Sequence, residues 1–193
     1  MIPRNMSKRP PNETCPHRRR LLRGAAAGLI GGLSVSRAWA IPQASGAPRS
    51  LSFVHTHTGE SLSATYFDGT VYVPDALGRL NHLLRDFRSG DATSMDAGLF
   101  DILWSLKAAA DREATFEIIS GYRSPVTNAM LHRRSHGVAE HSQHMLGKAI
   151  DIRLTGFDTS RLATYARALE RGGVGYYAAS DFVHVDTGRV RYW

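Results

Sequence analysis

Ser142-Gln143-His144-Met145-Leu146-Gly147-Lys148-Ala149-Ile150-Asp151, answered some thirty residues later by Phe182-Val183-His184-Val185-Asp186, decides how this chain is read. Ala149 to Leu154 has the composition of a strand, and successive side chains of a strand point to opposite faces. Ile150 and Ile152 therefore go to the core, and Asp151 faces a cleft with small Ala149 beside it. The same alternation sends Val183 and Val185 inward and puts Phe182, His184 and Asp186 opposite. His144 precedes its strand across Gly147, which permits the backbone reversal that brings the imidazole back over Asp151. Taken singly, each of these polar residues would be a surface group or a satisfied core group. Together, on the open faces of otherwise aliphatic strands, they would be costly to bury unpaired. Two imidazoles and one carboxylate suit a borderline metal ion such as zinc, and three protein ligands leave a coordination position open for chemistry.

Working outward, Leu51 to Thr56 and Ser61 to Phe67 alternate apolar and polar residues around Thr58-Gly59-Glu60, which predicts a hairpin. Pro74 opens a helical pattern with Leu77, Leu80, Leu83, Leu84 and Phe87 at spacings of three and four. A second helix is expected from about Met95 to Asp111. Thr115 to Ser120 reads as a strand, and Ser124-Pro125 as an N-cap followed by the first residue of a third helix. His132 to His141 reads as a polar, histidine-rich loop bordering the site. A helix over Asp158 to Arg171 and a final strand pair, Val174 to Tyr177 and Phe182 to Thr187, complete the pattern. Irregular interleaving of strands and helices predicts an α+β fold with a small, mainly antiparallel sheet and flanking helices.

The first forty residues have the pattern of an export signal: a basic start, a short run of small and apolar residues from Gly24 to Val35, and Ala38-Trp39-Ala40. Arg18-Arg19-Arg20-Leu21-Leu22-Arg23 resembles a twin-arginine signal. The apolar run falls well short of the roughly 20 residues of a membrane-spanning helix, so no stable membrane anchor is expected. The segment 1–40 holds eight of the chain's 24 Lys and Arg residues and one of its 17 acidic residues, so the net charge of +7 belongs to the leader. A near-neutral remainder argues against a nucleic-acid partner. The single cysteine, Cys15, also lies in the leader, which excludes a cysteine ligand, nucleophile or disulfide from the rest. Residues 41–50 read as a linker and 51–193 as one domain, expected to act as a monomer.

The pattern Ser142-x-His144-x-x-Gly147-x-Ala149-x-Asp151, with Ser120-Gly121-Tyr122-Arg123-Ser124 upstream and Gly173-Val174-Gly175-Tyr176-Tyr177 and Phe182-Val183-His184-Val185-Asp186 downstream, resembles the zinc D-alanyl-D-alanine peptidase superfamily. It is most similar to the murein endopeptidase K branch, from about Leu51 to Trp193. The resemblance implies a Hedgehog/DD-peptidase-like fold, a zinc ion held by His144, Asp151 and His184, and peptidoglycan peptides as substrate, cut in the periplasm by a metal-activated water. It places a general-base carboxylate at Asp181, three residues before His184, with Asp186 as competitor or as a group that orients an imidazole. Arg123 matches the arginine that contacts a substrate carboxylate or the developing oxyanion. His132, His136 and His141 are loop residues within reach of substrate, and Ser142 is a hydrogen-bonding group. His55, His57 and His82 carry no site signal. The pattern leaves endopeptidase and carboxypeptidase action open, and the Hedgehog likeness allows a rival reading, a non-catalytic zinc-stabilised module that binds the wall or signals.

Overall fold

A computed structural model describes residues 46–110, 113–135 and 137–193; the expected leader 1–40 and His136 lie outside the described residues. The elements are β1 (Arg49–His55), β2 (Ser61–Phe67), α1 (Pro74–Leu83), α2 (Ala97–Ala109), β3 (Thr115–Ser120), α3 (Pro125–Arg134), β4 (Ala149–Leu154), α4 (Thr159–Ala168), β5 (Gly173–Tyr177), β6 (Phe182–Asp186) and β7 (Arg191–Tyr192). Among the described residues no helix is long and apolar enough to cross a membrane.

The fold is α+β, but the sheet is not small. Seven strands join in the order β2-β1-β3-β4-β6-β5-β7. The pairings β1–β2, β3–β4, β4–β6 and β5–β6 are antiparallel, whereas β1–β3 and β5–β7 are parallel. The expected hairpin is therefore part of the main sheet: the chain returns through α1 and α2 to lay Phe116 beside Phe53. Parallel pairing needs a long crossover and leaves no local signature, and Arg191–Tyr192 is too short to show alternation. The histidine-rich segment also differs from expectation, since α3 runs to Arg134 and takes His132 into its last turn.

Helix starts follow side-chain chemistry. Asp96, Ser124 and Asp158 each cap a helix by accepting from the N–H of Gly98, Thr127 and Arg161. Leu80 and Leu83 of α1, Leu99, Phe100, Leu103 and Leu106 of α2, and Leu162 and Ala166 of α4 pack in one core with Phe53, Phe116, Ile150, Ile152, Val183 and Val185. Among the described residues α3 contributes nothing to that core and buries only Thr127 and Asn128. Three helices thus cover the aliphatic face of β4 and β6 and leave the opposite face for polar groups. His55 and His57 pack around Phe87, with ring centroids 5.5 Å and 4.2 Å from it, just beyond the end of α1.

The segment after α1 holds the loop that leads into α3. Leu84 O accepts from Tyr122 N at 2.7 Å, and the buried Asp86 carboxylate accepts from Ser124 N and Arg88 N, each at 3.0 Å. Burial alone would raise the pKa of Asp86; bonds from the Thr127 hydroxyl and from the Ser124 and Arg88 N–H groups overcome that and hold it down at about 2. Because the folded value lies below the unfolded value of about 3.9, this stabilisation is present above that value and is lost as pH falls through about 2. Asp86→Asn should cost about 1–3 kcal/mol near neutral pH. Urea titrations of both proteins should show the difference shrinking at acid pH.

Candidate metal centre

The register of β4 against β6 builds the site. Asp151 stands directly opposite His184, with Ile152 opposite Val183 and Ile150 opposite Val185, so the two polar side chains share one face while the aliphatic pairs fill the core. His144 comes from a 3-10 turn, Gln143–Leu146, begun by Ser142, whose hydroxyl accepts from His144 N at 3.3 Å. Gly147 closes that turn at φ +65°, and a Cβ there would sit 2.5 Å from Ser94 O. Only glycine fits both the backbone angle and the space. Gly147 O accepts from Asp96 N at 2.9 Å and His144 O from Arg123 N at 3.2 Å, which ties the turn to the start of α2 and to the loop before α3.

Donor atoms of His144, Asp151 and His184, all buried, lie within 4.8 Å of one another. His144 Nε2 is 3.2 Å from His184 Nδ1 and 3.3 Å from Asp151 Oδ1, and His184 Nδ1 is 2.8 Å from Asp151 Oδ1. Two donors bound at 2.0–2.1 Å to a tetrahedral ion stand roughly 3.3 Å apart, so two of the three separations already match such an ion and the third is tighter.

Outer hydrogen bonds fix both tautomers. His144 Nδ1 lies 2.7 Å from Gly121 O, which can only accept, so Nδ1 carries the proton and the Nε2 lone pair turns to the site. His184 Nε2 donates to Asp186 Oδ2 at 3.1 Å, which leaves Nδ1 facing Asp151. Once His184 Nδ1 gives up its proton, two imidazole lone pairs and a carboxylate oxygen converge on one point, an arrangement suited to a cation. Burial alone would lower the pKa of His184, yet the carboxylates of Asp151 and Asp186 on its two sides push it up to about 9. Burial would raise Asp151, and the facing imidazoles hold it well below the usual carboxylate range. A metal entering the group therefore displaces a proton from His184.

Asp186 is fully buried and saturated. Its Oδ2 takes His184 Nε2 and Arg191 Nη2 (2.6 Å), and its Oδ1 takes the N–H groups of Gly173 (3.1 Å) and Gly188 (2.8 Å) and Arg191 Nη1 (3.1 Å). These donors keep the carboxylate charged against its burial. Its place is behind His184, holding the ring, and not in the open cleft.

The cleft over the three donors measures about 390 Å³ and is lined by Arg123, His141, Tyr177, Phe182 and Trp193 among others. Arg123 reaches it with Nη1 donating to Asn128 Oδ1 at 3.3 Å, while its buried Nε has no partner among the described residues. Burial lowers its pKa, opposed by the charge of Asp151. Asn128 also donates to Ala139 O and Glu140 O, at 3.1 Å and 3.0 Å, and so positions the segment beside His141. Asp181, in contrast, lies outside the lining: its carboxylate meets the Thr159 hydroxyl and, at 3.4 Å, Arg153 Nε. A larger groove of about 750 Å³ between β2 and α1, lined by Glu60, Arg79 and His82 among others, does not include the three donors.

Sequence reasoning missed the roles of Arg191 and Trp193. Trp193 places its ring 5.3 Å from that of His184, and both residues reach the site only through the two-residue strand β7. The aromatic cluster Tyr176-Tyr177 with Trp193 was the available signal, and it has no periodicity to interpret.

A family model described as peptidoglycan L,D-endopeptidase MepK matches residues 43–193. The chain is 44% identical over 146 residues to the peptidoglycan L,D-endopeptidase MepK of Escherichia coli strain K12, covering 76% of this chain and 80% of the relative. It is likewise 44% identical over 147 residues to the probable peptidoglycan L,D-endopeptidase MepK of Haemophilus influenzae, covering 76% and 79%. The match takes in every residue of the three-donor group.

Asp186→Asn should weaken metal binding about 10–100-fold without removing a ligand atom. Competition with a chromophoric chelator measures this directly, and an unchanged affinity would show that Asp186 does not hold His184.

Proposed function

The chain belongs to the family described as peptidoglycan L,D-endopeptidase MepK, and we propose that it is an exported zinc peptidase that hydrolyses peptide bonds within peptidoglycan. The observation that carries this reading is the convergence of two imidazoles of fixed tautomer and one carboxylate at the floor of an open cleft. Family membership makes the activity that of a metallopeptidase, and the names of the relatives favour endopeptidase over carboxypeptidase action and L,D bonds over others. We assign residues 1–40 as the leader, by the twin-arginine route, with residues 51–193 as the catalytic domain acting as a monomer in the periplasm.

His144, Asp151 and His184 would hold the metal, and zinc suits the set of two nitrogens and one oxygen. Bound there, it supplies a Lewis acid for the scissile carbonyl and lowers the pKa of water, so no protein nucleophile is needed. The Gly121 carbonyl and Asp186 orient the two imidazoles. Arg123, which lines the cleft, would receive a substrate carboxylate or the oxygen that gains charge as the bond breaks. Asp181 serves as proton carrier by its spacing from His184, and must exchange Thr159 and Arg153 for the substrate to do so.

Digestion of purified muropeptides, read by mass spectrometry, tests the reading. Chelation, or His144→Ala, should lower turnover by at least about 100-fold, and cleavage products should identify the bond. Unchanged turnover in both would overturn it, and sacculus binding without product by the metallated protein would favour the wall-binding module. For the proton carrier, Asp181→Asn should cut kcat by about 100-fold with KM little changed. A kcat within about twofold of the parent would move the role to His141, which lines the cleft.

A further inference from the structure

One row of residues crosses the sheet on the site face. Asp151 of β4 stands opposite His184 of β6, and His184 stands opposite Gly175 of β5. Directly paired residues of neighbouring strands project to the same face, so the position beside His184 has no side chain of its own. A Cβ on Gly175 would lie 2.5 Å from Trp193 Cε2 and 2.6 Å from Trp193 Nε1. The missing side chain is replaced by the indole of Trp193, which follows the neighbouring edge strand β7 and fills the vacancy.

Trp193 is held there from several directions. Its N–H donates to Val174 O at 3.2 Å, and its carbonyl accepts from Tyr176 N at 3.0 Å. Its Nε1 donates to the Tyr177 hydroxyl at 2.9 Å, and the Arg191 guanidinium lies 4.9 Å from its ring centroid. Tyr177 in turn stacks on Phe182 at 4.6 Å. Despite these restraints Trp193 keeps 46% of its surface open, and all three aromatic residues line the cleft. An aromatic side chain that is fixed before binding loses little freedom when a ligand covers it. The part left open borders the His184 imidazole, in the cleft over the three donors.

We propose that Gly175 and Trp193 act as a pair that determines substrate recognition: the vacancy at Gly175 seats the indole as a fixed apolar wall beside His184, and the peptide of the substrate lies against that wall. This rests on the peptidase reading above. The pair explains why the position opposite His184 is glycine: its φ lies outside the left-handed region, and what excludes a side chain there is the indole.

The test uses Trp193→Ala, Trp193→Phe, Gly175→Ala and the Gly175→Ala/Trp193→Ala double variant, with purified dimeric muropeptides as substrate and bound metal measured for each. Trp193→Ala should raise KM about tenfold, the size of one lost aromatic packing contact. Its kcat should stay within about twofold and its metal content should match the parent. Trp193→Phe should recover most of the affinity. Gly175→Ala should reproduce the rise in KM, and the double variant should be no worse than Trp193→Ala, because the two changes remove one interaction. An unchanged KM in Trp193→Ala, a loss that falls on kcat or on bound metal, or multiplicative effects in the double variant would overturn the proposal. Stopped-flow binding of intact muropeptide separates this from the peptidase reading. If the parent binds but does not cut, a weaker affinity in Trp193→Ala sustains the wall while the hydrolytic reading falls, and equal affinities reject the wall.

Discussion

The cross-strand pair Asp151–His184 is the constraint on which the site depends. Side chains along a strand repeat every two residues, so slipping β4 by one position against β6 would send Asp151 into the core and expose Ile150 and Ile152. The aliphatic residues therefore enforce the polar geometry: burying Ile150, Ile152, Val183 and Val185 under α1, α2 and α4 admits one register, and that register brings a carboxylate to an imidazole. The third donor is brought in separately by the 3-10 turn at His144, whose closing Gly147 packs on Ser94.

Around that pair, charge is arranged in alternation. Asp151, His184, Asp186 and Arg191 follow one another through contacts of 2.6 to 3.1 Å. An isolated buried carboxylate would be expensive, and removing one partner from such a set typically costs about 3–5 kcal/mol. Here each negative group sits between positive or N–H donors, and the arrangement leaves one face of His184 and one oxygen of Asp151 directed at the same point. The electrostatics that keep the folded protein sound are thus the same that prepare the group for a cation.

The two faces of the sheet divide the labour. One carries the core and three helices. The other carries the donor group, with Arg123 on a loop held by Leu84 and Asp86, and the segment near His141 held by Asn128 of α3. This explains why α3, which adds nothing to the core among the described residues, begins with a well-capped turn: Ser124 and Pro125 fix the direction of the chain just after Arg123.

Most elements were legible in the residues themselves. Alternation marked β1, β2, β4 and β6, residue composition marked β3, β5 was read as the partner of β6, the Leu77-Leu80-Leu83-Leu84 stripe marked α1, and Ser124-Pro125 and Asp158 marked two helix starts. The positions of the three donors and the family likeness were legible as well, because period-two patterning and short motifs are local properties. What was not legible came from pairings between distant segments. The parallel β1–β3 contact made the sheet larger than expected, the two-residue β7 brought Arg191 and Trp193 to the site, and the carboxylate of Asp181 was claimed by Thr159 and Arg153. By itself the sequence determined which residues could face a common space. Only the tertiary structure decided which of them do, since contact across a sheet depends on strand order and closure, and no local pattern encodes either.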